Sequence, residues 1–70
     1  SDKMLDSLNS ILADLTEDIK KADINLLIAR RMLLQSKENP MAHVDEAERL
    51  YKKLYDSGGL IETNKLYADI

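Results

Sequence analysis

Residues Ile24–Gln35 read INLLIARRMLLQ, and eight of the twelve are apolar: Ile24, Leu26, Leu27, Ile28, Ala29, Met32, Leu33 and Leu34. Wound as an α-helix, this stretch is apolar on two sides. Ala22, Leu26, Ala29 and Leu33 cluster about one direction. Ile24, Leu27, Ile28 and Leu34 cluster about the opposite one, with Arg31 among them. One neighbouring helix can cover only one of these stripes. In a chain of 70 residues, what covers the other decides the fold.

Toward the N-terminus the first stripe continues as Leu5, Leu8, Leu12, Leu15, Ile19 and Ala22, alternating spacings of three and four without a slip. No Gly or Pro falls between Lys3 and Lys37. Such a heptad seam predicts one helix over residues 3–37, about 50 Å long at 1.5 Å per residue. Asp23 could cap a new helix, but the seam passes through it in phase.

Beyond it, Asn39 suits an N-cap and Pro40 the first helical position, where a missing N–H costs nothing. A second helix over residues 40–57 follows, with Val44, Ala47, Leu50, Tyr51, Leu54 and Tyr55 on one stripe and Gly58 placed to end it in the left-handed conformation. Asp45–Arg49 and Glu48–Lys52 are favourable i,i+4 pairs on its outer side. The short Ser36–Asn39 connection predicts antiparallel neighbours. The second helix, about 25 Å long, covers only the C-terminal half of the first. Residues 60–70 are then either a short third helix over the remaining seam or a frayed end. The expected fold is an all-α, single-domain antiparallel helical hairpin spanning residues 1–70, with a long first helix and a shorter second one.

The chemistry-bearing residues are sparse. There is no cysteine for a disulfide or thiolate metal site, and one histidine, His43, cannot build a zinc site alone. His43 with Asp45 and Glu46 reads as a solvated helix start, where carboxylates meet the positive end of the helix dipole. Asp14, Glu17 and Asp18 lie beside Lys20 and Lys21 and read as a solvated charged face. Ser7, Ser10 and Ser36 have no histidine nearby to activate them. Ten Lys and Arg against thirteen Asp and Glu give a net charge of −3, and the basic residues come as isolated pairs without Phe or Trp. That composition argues against nucleic acid, which requires clustered positive charge and stacking platforms. No apolar run reaches membrane-spanning length and no signal peptide is visible, so a cytoplasmic setting is expected. No catalytic residue, metal ligand or cofactor site is expected. Asp23, Leu26, Leu27 and Arg30 resemble the opening helix of the all-helical chorismate mutases. Those enzymes need several converging Arg and Lys residues and a further long helix, whereas Arg30, Arg31 and Arg49 are the only arginines here.

The second stripe carries the functional expectation. Leaving four large aliphatic side chains wet forgoes roughly 1.5–3 kcal/mol each, comparable in sum to the whole stability of so small a domain. Ile24, Leu27, Ile28, Arg31 and Leu34 are therefore expected to bind a partner protein. The alternative is that the C-terminal tail folds back and buries the stripe in cis. The N-terminal half carries no such stripe, its equivalent face being Ser7, Ser10, Asp14, Glu17, Lys20 and Lys21.

A cysteine-free acidic hairpin of this length, with an aliphatic, alanine-containing stretch from Ile24 to Leu34, a tight turn and Glu46-Ala47-Glu48 before the second stripe, resembles the small co-chaperones of type III secretion needle subunits, the YscE-like family. The likeness spans Leu5 to Tyr55 and lies in architecture and texture, without a signature motif. The tail after Gly58 departs from it. The resemblance implies a bacterial cytosolic protein that pairs with a larger helical-repeat chaperone and helps hold a needle subunit unpolymerised. A self-associating structural or regulatory coiled coil, with the Leu5–Ile19 seam paired to its own copy, is the other reading.

Overall fold

The computed structural model describes residues 2–35 and 38–70 and contains four helices: α1 (Lys3–Asp14), α2 (Asp18–Gln35), α3 (Met41–Lys53) and α4 (Ser57–Asp69). No strand occurs among the described residues. The fold is all-α, and it departs from the expected long first helix. Instead of one helix over 3–37, the chain is helical to Asp14, turns through Leu15–Glu17 and resumes at Asp18; the expected end at Lys37, like Ser36, lies outside the described residues. Across Ala22-Asp23-Ile24 the helix is continuous.

The turn has a local cause and a larger energetic one. Leu15 is extended (φ −77°, ψ 144°), its N–H closing the last turn on the Leu12 carbonyl at 3.2 Å. Thr16 is β-branched and a weak helix former, and Glu17 and Asp18 are carboxylates suited to the positive start of a new helix. Interrupting a helix forfeits a few hydrogen bonds, each worth about 1 kcal/mol net. The reversal in return lays α1 antiparallel on α2, with Asp2 beside Arg31 at one end (2.8 Å) and Ile11 and Leu15 beside Ile24 at the other. Leu5, Leu8, Leu12 and Leu15 become half-buried and Ile28 fully buried. Stripes on one straight helix cannot cover each other; stripes on a folded-back pair can. The N-terminal half of the chain thus covers part of the second stripe in cis, the role the sequence offered to the C-terminal tail.

On its other side α2 meets α3. Ala22, Leu26 and Ala29 pack with Val44, Ala47, Leu50 and Tyr51. The two helices run antiparallel: Lys53 pairs with Asp18 (2.8 Å), the Tyr51 hydroxyl donates to Asp23 (2.6 Å), and His43 Nδ1 meets Asn25 Oδ1 (2.9 Å). Helix α3 begins at Met41, one residue later than expected, with Pro40 in helical torsions at the cap position instead of Asn39; the Asn39 side chain accepts the Met41 N–H at 2.9 Å.

The end of α3 differs from the expected one. The second helix stops at Lys53 rather than Ser57, and the left-handed residue is Tyr55 (φ 54°), not Gly58. The Tyr55 N–H bonds the Lys52 carbonyl and the Asp56 N–H bonds the Tyr51 carbonyl, the paired closure of a Schellman motif. Asp56 then caps α4, accepting the Gly59 N–H at 3.0 Å. The segment expected over 60–70 is therefore a full helix beginning at Ser57, and both glycines lie in its first turn. Gly59 is required there by packing, since a Cβ on it would come within 2.2 Å of the Tyr51 ring. Leu66 of α4 joins the core, and Leu60 and Tyr67 pack against it. The accessible surface of 4634 Å² for 8.0 kDa is close to the roughly 4,450 Å² of an ordinary compact monomer.

Candidate functional site

The reversal at Leu15–Glu17 divides the five residues expected to bind a partner. Ile24 is half-buried against α1, Ile28 has no exposure, and Arg31 donates from Nε to the Asp2 carboxylate at 2.8 Å. These three belong to the α1–α2 contact. Leu27 and Leu34 remain outside it, 45% and 75% exposed. The wet part of the stripe is thus narrower than the sequence suggested.

Leu27 and Leu34 form the floor of a trough along α2. On one side stands α1, whose Ile11 and Leu15 share a cleft with Ile24. On the other stands α4, tied to α2 by Arg30 and Glu62 at 3.0 Å. Helix α1 packs on α2 alone, so it and α4 leave the face between them open. At the C-terminal end of the trough Leu33, Leu34 and Leu66 line a cleft of about 350 Å³ with Lys65 and Asp69 at its rim. The contribution of α4 to this wall had no periodic signal in the sequence. The Gly58-Gly59 pair was its trace, since a glycine demanded by a close approach implies a helix packed at that point.

The polar groups near the core are structural. Asn25 is buried, donating to the Lys21 carbonyl (2.9 Å) and accepting from His43, which fixes the proton of a neutral His43 on Nδ1. His43 therefore joins α3 to α2 rather than standing in solvent. Burial, then the hydrogen bond to Asp23, pushes the Tyr51 hydroxyl pKa well above the usual range; burial and Asp45 do the same for Tyr67. Both hydroxyls stay protonated donors. Among the described residues no buried side-chain polar atom lacks a partner, and no group of three or more His, Asp or Glu is placed to hold a metal ion. No helix among them is long and apolar enough to cross a membrane. Comparison with protein-family models, curated proteins and solved structures finds no match for this chain.

Proposed function

We propose that this chain is a non-enzymatic helical module that works by docking another protein along the α2 trough. The observation that carries the reading is the position of Leu27 and Leu34. They lie seven residues apart on a face that α1, α3 and α4 leave open, two of the ten large apolar side chains exposed among the described residues and aligned along one groove. Aliphatic side chains aligned along a groove are more informative than the same number scattered singly.

Within this class, the co-chaperone reading proposes a bacterial cytoplasmic partner to a larger helical-repeat chaperone, acting on a type III secretion needle subunit. Its support is now confined to α2 and α3, the aliphatic Ile24–Leu34 stretch with the shorter helix carrying Glu46-Ala47-Glu48; the long first helix no longer contributes. The test uses the whole chain as bait in its native organism, beside Leu27→Asp and Ile28→Asp. Leu27→Asp should leave the free chain folded and abolish capture of the partner. Ile28→Asp should unfold it, because the charge would be buried within the chain. Recovery of a helical-repeat chaperone supports the co-chaperone assignment, and recovery of the same chain alone favours a self-associating protein. Capture that survives Leu27→Asp and Leu34→Asp together would remove the trough from the reading.

A further inference from the structure

The trough has a charge pattern as well as an apolar floor. Three clefts run into one another along α2: Asp23 belongs to the first and second, and Arg30 and Glu62 to the second and third. From Lys20 to Leu34 the path follows α2 for about 21 Å at 1.5 Å per residue, the length of roughly four helical turns. Leu27 and Leu34 repeat at two turns along it, matching the spacing of a heptad stripe on an opposing helix.

Every cation along this path is engaged within the chain. Lys20 pairs with Glu17 at 3.3 Å, while Arg30 (3.0 Å) and Lys65 (3.3 Å) both pair with Glu62. The carboxylates are in surplus. Asp23 accepts from the Tyr51 hydroxyl and Asp56 from the Gly59 N–H, and among the described residues no Lys or Arg pairs with Asp23, Asp56 or Asp69. A second, independent source of negative potential lies at the C-terminal end. Helices α2 and α4 run parallel, as the Arg30–Glu62 pair and the Leu33–Leu34 contact with Leu66–Asp69 require. The last-turn carbonyls of α4 emerge there beside Asp69, and that turn carries no basic residue, whereas the end of α2 at Gln35 shares a cleft with Lys3 and Arg31. Helix α3 ends on Lys52 and Lys53, as helix dipoles favour.

We propose that the trough docks an amphipathic helix of a partner protein whose aliphatic stripe is flanked by lysine and arginine. This rests on the protein-binding reading above and adds the chemistry of the partner. Leu27, Leu33 and Leu34 receive the apolar stripe. Asp23 and Asp56 meet the flanking cations, and Asp69 with the end of α4 meets those at the far end. A second copy of this chain carries a net charge of −3, the same sign as that end.

The probe is a synthetic 18-residue helical peptide of Leu, Ala and Lys, with leucines at i, i+3, i+4 and i+7 and lysines on both flanks. Its controls carry Glu for every Lys, or Ser for every Leu. Titrated against the whole chain by NMR, the Lys peptide should move the signals of Leu27, Leu34, Leu66 and Asp69, and both controls should bind at least tenfold more weakly. Asp69→Lys should weaken binding about five- to tenfold. Glu46→Lys makes the same change of charge at a residue that lines none of the three clefts, and should leave binding unchanged. If the Glu peptide binds as well as the Lys peptide, or the two variants weaken binding equally, the basic partner is refuted while protein binding stands. Self-association that Leu34→Asp abolishes, with no peptide bound, assigns the trough to a second copy and refutes it too. If no peptide binds and Leu34→Asp alters no association of the chain, both readings fall.

Discussion

Gly58→Ala and Gly59→Ala, one residue apart in the same helical turn, should change stability in opposite directions. At Gly58 an added methyl meets only the Asp56 carboxylate at 3.5 Å, an ordinary contact. Replacing glycine by alanine in a helix gains up to about 1 kcal/mol. At Gly59 the methyl would lie 2.2, 2.4 and 2.5 Å from three carbons of the Tyr51 ring, where carbon contacts settle at about 3.5–4.0 Å. The ring cannot step aside cheaply. It is 2% exposed, and its hydroxyl is held by Asp23 at 2.6 Å. Overpacking of this kind costs about 1–3 kcal/mol, and displacing the turn would also loosen the Asp56 cap, worth about 1 kcal/mol. The two variants should therefore differ by about 2–4 kcal/mol. At roughly 4–8 °C per kcal/mol for a domain of this size, thermal unfolding followed by circular dichroism should separate them by about 8–30 °C, Gly59→Ala melting first. If Gly59→Ala melts with Gly58→Ala or above it, α4 does not pack on Tyr51, and the wall it gives to the trough is lost with it.

Tyr55 is 93% exposed and sits at φ 54°, a conformation costing a non-glycine residue about 1–2 kcal/mol. Tyr55→Gly should raise the urea midpoint by the equivalent of about 0.5–1 kcal/mol after the extra chain entropy of glycine. Tyr55→Ala should give no such gain, and equal midpoints for the two would refute the left-handed cap. The hydrogen bond from Arg31 holds the Asp2 carboxyl below its ordinary value of 3.8, with further help from the Leu5 and Met4 N–H groups. Its folded-state pKa being depressed, the stabilisation is fully present above pH 3.8 and is lost as the pH falls through the folded value. Stability measured from pH 6 down to pH 2 should decline at the acid end, and decline less in Asp2→Asn; identical acid limbs would show that Asp2 does not anchor α1.

What was legible followed from periodicity. Ala22, Leu26 and Ala29 of the seam and Val44, Ala47, Leu50 and Tyr51 of the second stripe are buried between α2 and α3, because burial against one neighbour leaves a 3.6-residue trace; Leu33, Leu54 and Tyr55, placed on the same stripes by their spacing, are exposed. Asn39-Pro40 marked its helix start through local hydrogen bonding, which needs no tertiary context. The turn at Leu15–Glu17 left no break in the seam. The same leucines at the same spacing serve a straight helix or a folded-back one, and only Thr16-Glu17-Asp18, a run with helix-start character, told them apart. The stripe of Ile24, Leu27, Ile28, Arg31 and Leu34 was visible as two-sidedness, but which members would be wet depended on where α1 came to lie. Tyr55 was the least legible position. The glycine nearby was the obvious candidate for a left-handed cap, and Tyr51 had already claimed Gly59 for its own packing.

That same turn offers a direct discrimination between the two architectures. Proline confines the residue before it to extended torsions, and Leu15 already holds them at φ −77°, ψ 144°. Proline also removes an N–H, and among the described residues the Thr16 N–H meets no backbone carbonyl. Thr16→Pro should therefore change stability by less than about 1 kcal/mol, with some gain from a stiffer unfolded chain. In an unbroken helix over 3–37 the same substitution would fall in the interior and cost about 3 kcal/mol or more, a large part of what holds a 70-residue domain together. Ser10→Pro supplies the reference, because Ser10 is inside a helix in either arrangement. Thermal unfolding of the two variants should show Thr16→Pro near the parent and Ser10→Pro far below it. In the folded Thr16→Pro chain, cross-relaxation between the side chains of Ile11 and Ile24 should persist, since they share a cleft only when α1 lies back along α2. A Thr16→Pro variant that unfolds with Ser10→Pro would restore the long helix, uncover Ile28, and return the whole stripe to solvent.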